Sequence, residues 1–126
     1  MKKDKIIYWI TTTLVAFSGL IAGITYIMVP AIADEFKHLG FPDYFRKELA
    51  TAKILGALVI VLPMVAGRIK EWAYAGFAIT FISACIAHTV QQGAATAIPP
   101  FVTLIVLVIS YVYYTKVNAH NALAGL

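Results

Sequence analysis

Tyr26, Lys53 and His88 are the side chains with chemistry to offer in a chain that is otherwise built of hydrocarbon. A lysine amine donates hydrogen bonds from a positive charge, an imidazole gives or takes a proton near neutral pH, and a phenol both donates and accepts. Lys53 stands alone as a charge within the apolar run from Leu49 to Ala66. A charge in such a run costs a few kcal/mol, so it either snorkels to the lipid headgroups or serves a site. Together, Lys53 and His88 have the donors to hold a carbonyl oxygen, and His88 the proton affinity to relay a proton. Asp34 and Glu35 lie just upstream, in a segment where charge alternates with Phe36, Leu39, Phe41, Tyr44 and Phe45.

The elements that position these groups are read from hydropathy. Of 126 residues, 61% are hydrophobic and 13% charged, with a mean hydropathy of +0.84. A soluble domain is roughly 45–50% apolar. The expectation is an all-α integral membrane protein: one domain over residues 1–126, an antiparallel four-helix bundle with spans at 6–29, 49–66, 72–90 and 98–114. The first apolar run, Ile6 to Val29, is far longer than the about 7–15 residues of a secretory signal core, so it is expected to be retained as a span. Pro30 closes it, because the residue before a proline is pushed out of helical geometry. Asp34 to Glu48 is expected to be a loop holding a short interfacial helix, broken at Gly40 and Pro42. Pro63 is expected to kink the second span, and Gly67 to Glu71 to form a charged turn. Pro99 and Pro100 fit the first turn of the fourth span. The tail from Thr115 is expected to fray.

Small residues mark where backbones approach. Gly19 and Gly23 form a Gly-x-x-x-Gly pair, for which packing within the chain is favoured over dimerisation. Ala52 and Gly56 share one face of the second span. Ala73, Gly76, Thr80, Ser83, Ala84 and Ala87 give the third span a small face, expected to meet the other helices.

Four spans place Lys2, Lys3, Lys5, Arg68, Lys70 and Lys116 on one side and Lys37, Arg46 and Lys47 on the other. Six against three predicts that both termini are cytoplasmic. Tyr8, Trp9, Trp72, Tyr74, Tyr111, Tyr113 and Tyr114 then share the cytoplasmic level, as an interfacial belt. On the outer side, Lys53 lies about 6 Å into the second span at 1.5 Å per residue. Tyr26 and His88 reach the same depth on the first and third spans. Three helices thus aim polar groups at one place beneath the loop with Asp34 and Glu35, which is what a small-molecule pocket between helices requires. Each residue keeps a plainer role: snorkelling for Lys53, capping a helix end for His88, a belt position for Tyr26.

Several classes are set aside. The net charge of +4 lies at helix ends rather than on one face, so no nucleic-acid partner is expected. Cys85 is the single cysteine, which excludes an intrachain disulfide or a paired-thiol centre in this sequence. Asp34 and His38 are one helical turn apart but lack further ligands, so no metal site is expected. A small multidrug exporter needs an intramembrane carboxylate to couple protons, and Ile6 to Val29 has none.

The segments His38-Leu39-Gly40-Phe41-Pro42-Asp43-Tyr44-Phe45, Lys53-Ile54-Leu55-Gly56 and Lys70-Glu71-Trp72-Ala73-Tyr74-Ala75-Gly76-Phe77, with His88 beyond them, resemble the DoxX-like family of small bacterial four-helix membrane proteins. The resemblance covers about residues 6 to 114. It implies a multi-pass protein of the bacterial cytoplasmic membrane, distantly related to subunits of membrane oxidoreductases such as the small subunit of a thiosulfate:quinone oxidoreductase. It implies no catalytic residue. Two functions follow as expectations. One is a redox-associated subunit that holds a quinone or similar lipophile at Tyr26, Lys53 and His88 and takes electrons from a partner. The other is a non-enzymatic membrane partner or lipid-binding protein.

Overall fold

Prolines and glycines divide the chain into helices, and the computed structural model describes residues 2–65 and 67–124. Five α-helices follow one another: α1 (Lys2–Met28), α2 (Pro30–His38), α3 (Asp43–Val61), α4 (Gly67–Gln92) and α5 (Ile98–Ala124), with a 3-10 turn at Ala94–Ala97 before α5. No strand occurs among the described residues. Val29 is extended, with φ −101° and ψ 114°, so Pro30 ends α1 as expected and then occupies the first turn of α2.

The boundaries differ from expectation in four places. The segment from Asp34 to Glu48 has the expected short helix and the break at Gly40 and Pro42, but little of it is loop: α2 already begins at Pro30, and Asp43 to Glu48 form the first turns of α3. Only four residues separate the two, because Gly40 at φ 89° lets the amides of Gly40 and Phe41 turn back onto the carbonyls of Lys37 and Phe36. Pro63 stops α3 rather than kinking it: Leu62 is extended at ψ 122° and the helix ends at Val61. Gly67 to Glu71 is the first turn of α4, not a loop. The tail from Thr115 continues as helix to Ala124, since Leu107, Ser110, Tyr114 and Val117 form one buried seam that runs past Thr115. Gly125 and Leu126 lie outside the described residues.

Three helical segments are long and apolar enough to cross a membrane: α1, α4, and the segment Ala94–Ala119 that contains most of α5. α3 is uncharged from Ile54 to its end, but Asp43, Arg46, Lys47, Glu48 and Lys53 load the part before that with charge.

Each long helix buries a seam at helical spacing. On α1 it is Tyr8, Thr12, Val15, Ala16, Gly19 and Gly23; on α3, Arg46, Ala50, Lys53, Ala57 and Ile60; on α4, Lys70, Tyr74, Phe77 and Phe81. The partners run in opposite order along neighbouring helices. Gly19 faces Ala57 and Gly23 faces Ile54; Gly56 faces Phe77. Thr12 bonds Ser110 while Tyr8 meets the ring of Tyr114. The glycine pair of α1 therefore packs against α3 within the chain. Residues outside the seams, among them Ile10, Phe17, Ile79, Ile86 and Val108, leave apolar side chains exposed on the outer surface.

Two packing expectations are corrected. The small face of α4 is not the packed one: apart from Ala73, which packs at the edge of the core, the seam is made by Lys70 and the aromatics, and a Cβ at Gly76 would touch nothing within 4 Å. The bulk of Phe77 and Phe81 holds α3 away and leaves the small face as the wall of open grooves. Nor are all the aromatics at the other end a belt. Trp9 and Trp72 are exposed, but Tyr8, Tyr74 and Tyr114 are buried among one another at ring separations of 5.6 and 6.0 Å, where their bulk fills the gap between α1, α4 and α5. Beside them Ser110 bridges the hydroxyls of Thr12 and Tyr74 at 2.6 and 2.7 Å, so these buried polar groups satisfy one another.

Candidate functional site

α3 carries Lys53 on the same face as Ala50, Ala57 and Ile60, so helical periodicity alone turns its side chain inward. Only 9% of the residue is exposed. Its ammonium lies 4.9 Å from the centre of the Tyr26 ring and 5.5 Å from that of Phe81, a cation held against aromatic faces. Among the described residues it has neither a carboxylate partner nor a hydrogen-bond acceptor. What it faces instead is a cavity of about 460 Å³.

Tyr26, Lys53 and His88, from α1, α3 and α4, all line that cavity, and Glu35 joins them from α2. Asp34 does not: it is exposed one position round the helix from Glu35, as is His38. Apart from Thr80 and Ser83 on α4, the remaining wall is apolar, with Ile32 and Phe36 from α2, Phe41 from the connection, Phe45 and Leu49 from α3, and Ile79, Ala84 and Ala87 from α4. The rings brace one another in sequence. Tyr26 meets Phe36 edge-on at 5.0 Å, Phe36 meets Phe41 at 5.9 Å, and Phe41 stacks on Phe45 at 4.9 Å.

His88 is half-buried, and its Nδ1 pairs with Oε1 of Gln92 at 3.1 Å, one turn along α4. That leaves Nε2 without a partner among the described residues. No hydrogen bond joins His88 to Lys53. The two groups share the cavity without being coupled.

Two basic residues have structural roles that their positions in the sequence did not disclose. Arg46 is 8% exposed, donates to the carbonyl of Tyr26 in the last turn of α1, and pairs with Asp43 at 2.9 Å. It thereby satisfies a helix-end carbonyl and ties α3 to the turn that presents Tyr26. The hydrogen bond from Arg46 also holds the exposed Asp43 carboxyl below the usual carboxylate range. The Asp43–Arg46 spacing of three was the one available signal; the contact with α1 has none. Lys70, assigned to an open turn from the sequence, is buried and donates to the carbonyls of Val59 and Ile60 at 3.0 Å each. These are among the last carbonyls of α3, which its own helix leaves unbonded.

The arrangement has the means to hold one oxygen acceptor. An unpaired ammonium on a largely buried side chain supplies the donor at the cavity, the rings offer apolar surface for the bulk of a ligand, and the imidazole and the Tyr26 phenol stand within the same wall. No curated protein and no solved structure matches the chain. A family profile does, over residues 10–110, a stretch that reaches all four long helices and contains every residue of the cavity wall. With that extent of match, the chain belongs to the DoxX-like family.

Proposed function

We propose that this protein spans the bacterial cytoplasmic membrane as a single antiparallel four-helix domain and binds a lipophilic molecule at the outer end of the bundle. α1, α3, α4 and α5 are the spans, α2 lies at the outer interface, and both termini are cytoplasmic. The head of the ligand carries an oxygen acceptor, with a quinone as the type case, received by Lys53 and flanked by Tyr26 and His88; Glu35 stands at the rim. The observation that carries this function is the Lys53 ammonium. A charge on a side chain drawn largely out of water, open only to the cavity and without a protein partner among the described residues, favours an occupant that accepts its hydrogen bonds.

In a redox-associated role, electrons come from a partner subunit, and Nε2 of His88 is the group placed to exchange a proton with the bound head. A non-enzymatic lipid-binding role uses the same cavity.

Mass spectrometry of lipophiles that copurify in mild detergent tests the proposal. The wild type is expected to carry a lipophile that Lys53→Met loses and His88→Ala retains in lower amount. Equal occupancy in all three proteins would refute the site.

A further inference from the structure

The cavity is not closed on the side of α3 and α4. A second hollow, about 310 Å³, continues from it between these helices and shares Leu49, Lys53 and Thr80 with it. Its floor and walls are apolar: Gly56 and Val59 on α3, Ile69, Ala73 and Gly76 on α4, with the exposed Trp72 also on its wall. From Thr80 back to Ile69 it follows α4 for about 16 Å at 1.5 Å per residue.

The groove exists because of specific residues. Gly76 has no side chain and nothing within 4 Å of where one would begin, while Phe77, its neighbour, turns away to fill the space over Gly56. Lys53 stands where the two hollows meet, with its ammonium unpaired and the residue 9% exposed. From a head held there, the groove is an apolar path that leads away along α4.

We infer that the ligand is a single amphiphile, with its oxygen-accepting head at Lys53 and a flexible hydrocarbon tail laid along the α3–α4 groove toward Trp72. This rests on the head site proposed above and adds the tail. The tail is acyl or prenyl in type, because a groove that follows one helix for about 16 Å takes a chain along its length. Filling the groove exchanges contacts with lipid or detergent for close packing against α3 and α4, and binding strength therefore depends on tail length.

The test uses two probe pairs that differ only in the tail, a benzoquinone with and without a decyl chain, and palmitate against butyrate. Binding is measured in one detergent to the wild type, Gly76→Leu, Ala52→Leu and Lys53→Met. Ala52 is exposed and forms the opposite wall, so the two leucines block the groove from different helices. Gly76→Leu also replaces a weak helix former with a strong one, which protects the fold. The ratio of long-tailed to tailless affinity is compared between proteins, which cancels partitioning into micelles.

For the pair with the correct head, this ratio is expected to fall about tenfold in each leucine variant, while the tailless probe binds as before. Lys53→Met is expected to weaken both members of the pair equally. Which pair responds identifies the head as quinone or carboxylate. If Lys53→Met weakens binding but the ratio is unchanged in both leucine variants, the tail site is wrong and the head site stands. If no probe depends on Lys53, both fail.

Discussion

Replacing Gly23 and Gly76 by alanine, one at a time, asks whether the helices meet where the structure places them. Both glycines lie inside helices, and adding a methyl group to either contributes roughly 0.5–1 kcal/mol by restricting the unfolded backbone. At Gly76 that is the whole effect, because a Cβ there has nothing within 4 Å. At Gly23 the new Cβ would sit 2.6 Å from Cγ1 of Ile54 and 2.9 Å from the carbonyl oxygen of Ala50. Ile54 can change rotamer. The Ala50 carbonyl is backbone and cannot yield unless α1 and α3 move apart, a strain of about 1–3 kcal/mol. Because the obstacle is backbone the strain lies at the upper end of that range, about 2–3 kcal/mol, so Gly23→Ala is expected to lose about 1–2.5 kcal/mol net, while Gly76→Ala gains roughly 0.5–1. Thermal unfolding in one mild detergent, followed by loss of helical circular dichroism, should place the variants on opposite sides of the wild type. A Gly23→Ala protein as stable as the wild type would refute the close approach of α1 to α3. A destabilised Gly76→Ala would show that the small face of α4 is packed after all.

Three further outcomes are expected. Lys70→Met should lower stability by about 1–3 kcal/mol in the same assay, because two carbonyls at the end of α3 lose their donor, and Lys70→Arg should restore part of it. Ser110→Ala should cost about 1–3 kcal/mol by leaving the hydroxyls of Thr12 and Tyr74 without their shared partner, and a Thr12→Val, Ser110→Ala double variant should cost less than the two single changes summed. A C-terminal fusion to a reporter active only in the cytoplasm should be active; activity of a reporter that works only outside it would overturn the four-span topology.

The gathering of Tyr26, Lys53 and His88 at one cavity was legible from the sequence because it depends on two quantities that sequence carries well, the depth of a residue along an apolar run and the alternating direction of successive helices. Glu35 and the phenylalanines of the outer segment were in view for the same reason. What the sequence withheld is azimuth. Small residues on α4 were assigned to a packed face, yet the aromatics one step round the helix make the contact and the small ones line the groove. Arg46 and Lys70 were counted as surface charges, since a pattern in one helix says nothing about a carbonyl at the end of another. Proline effects were legible in kind at Pro30 and not at Pro63, where a break and a kink have the same local signal.

The grip of Lys70 on the end of α3 bears on how the protein is made. In the four-span arrangement α3 is the poorest candidate to enter a bilayer by itself, since it carries Lys53 in its interior and ends in carbonyls that nothing within it can bond. The missing donor arrives with the first turn of α4, only nine residues after Val61 in the chain. In that arrangement α3 and α4 are expected to enter the bilayer as a hairpin, the second helix supplying the donor that the end of the first lacks. In a cell-free insertion assay, α3 alone should integrate less well than α3 followed by α4, and Lys70→Met should remove part of the difference. Equal integration of α3 with and without α4 would show that the helix needs no such help.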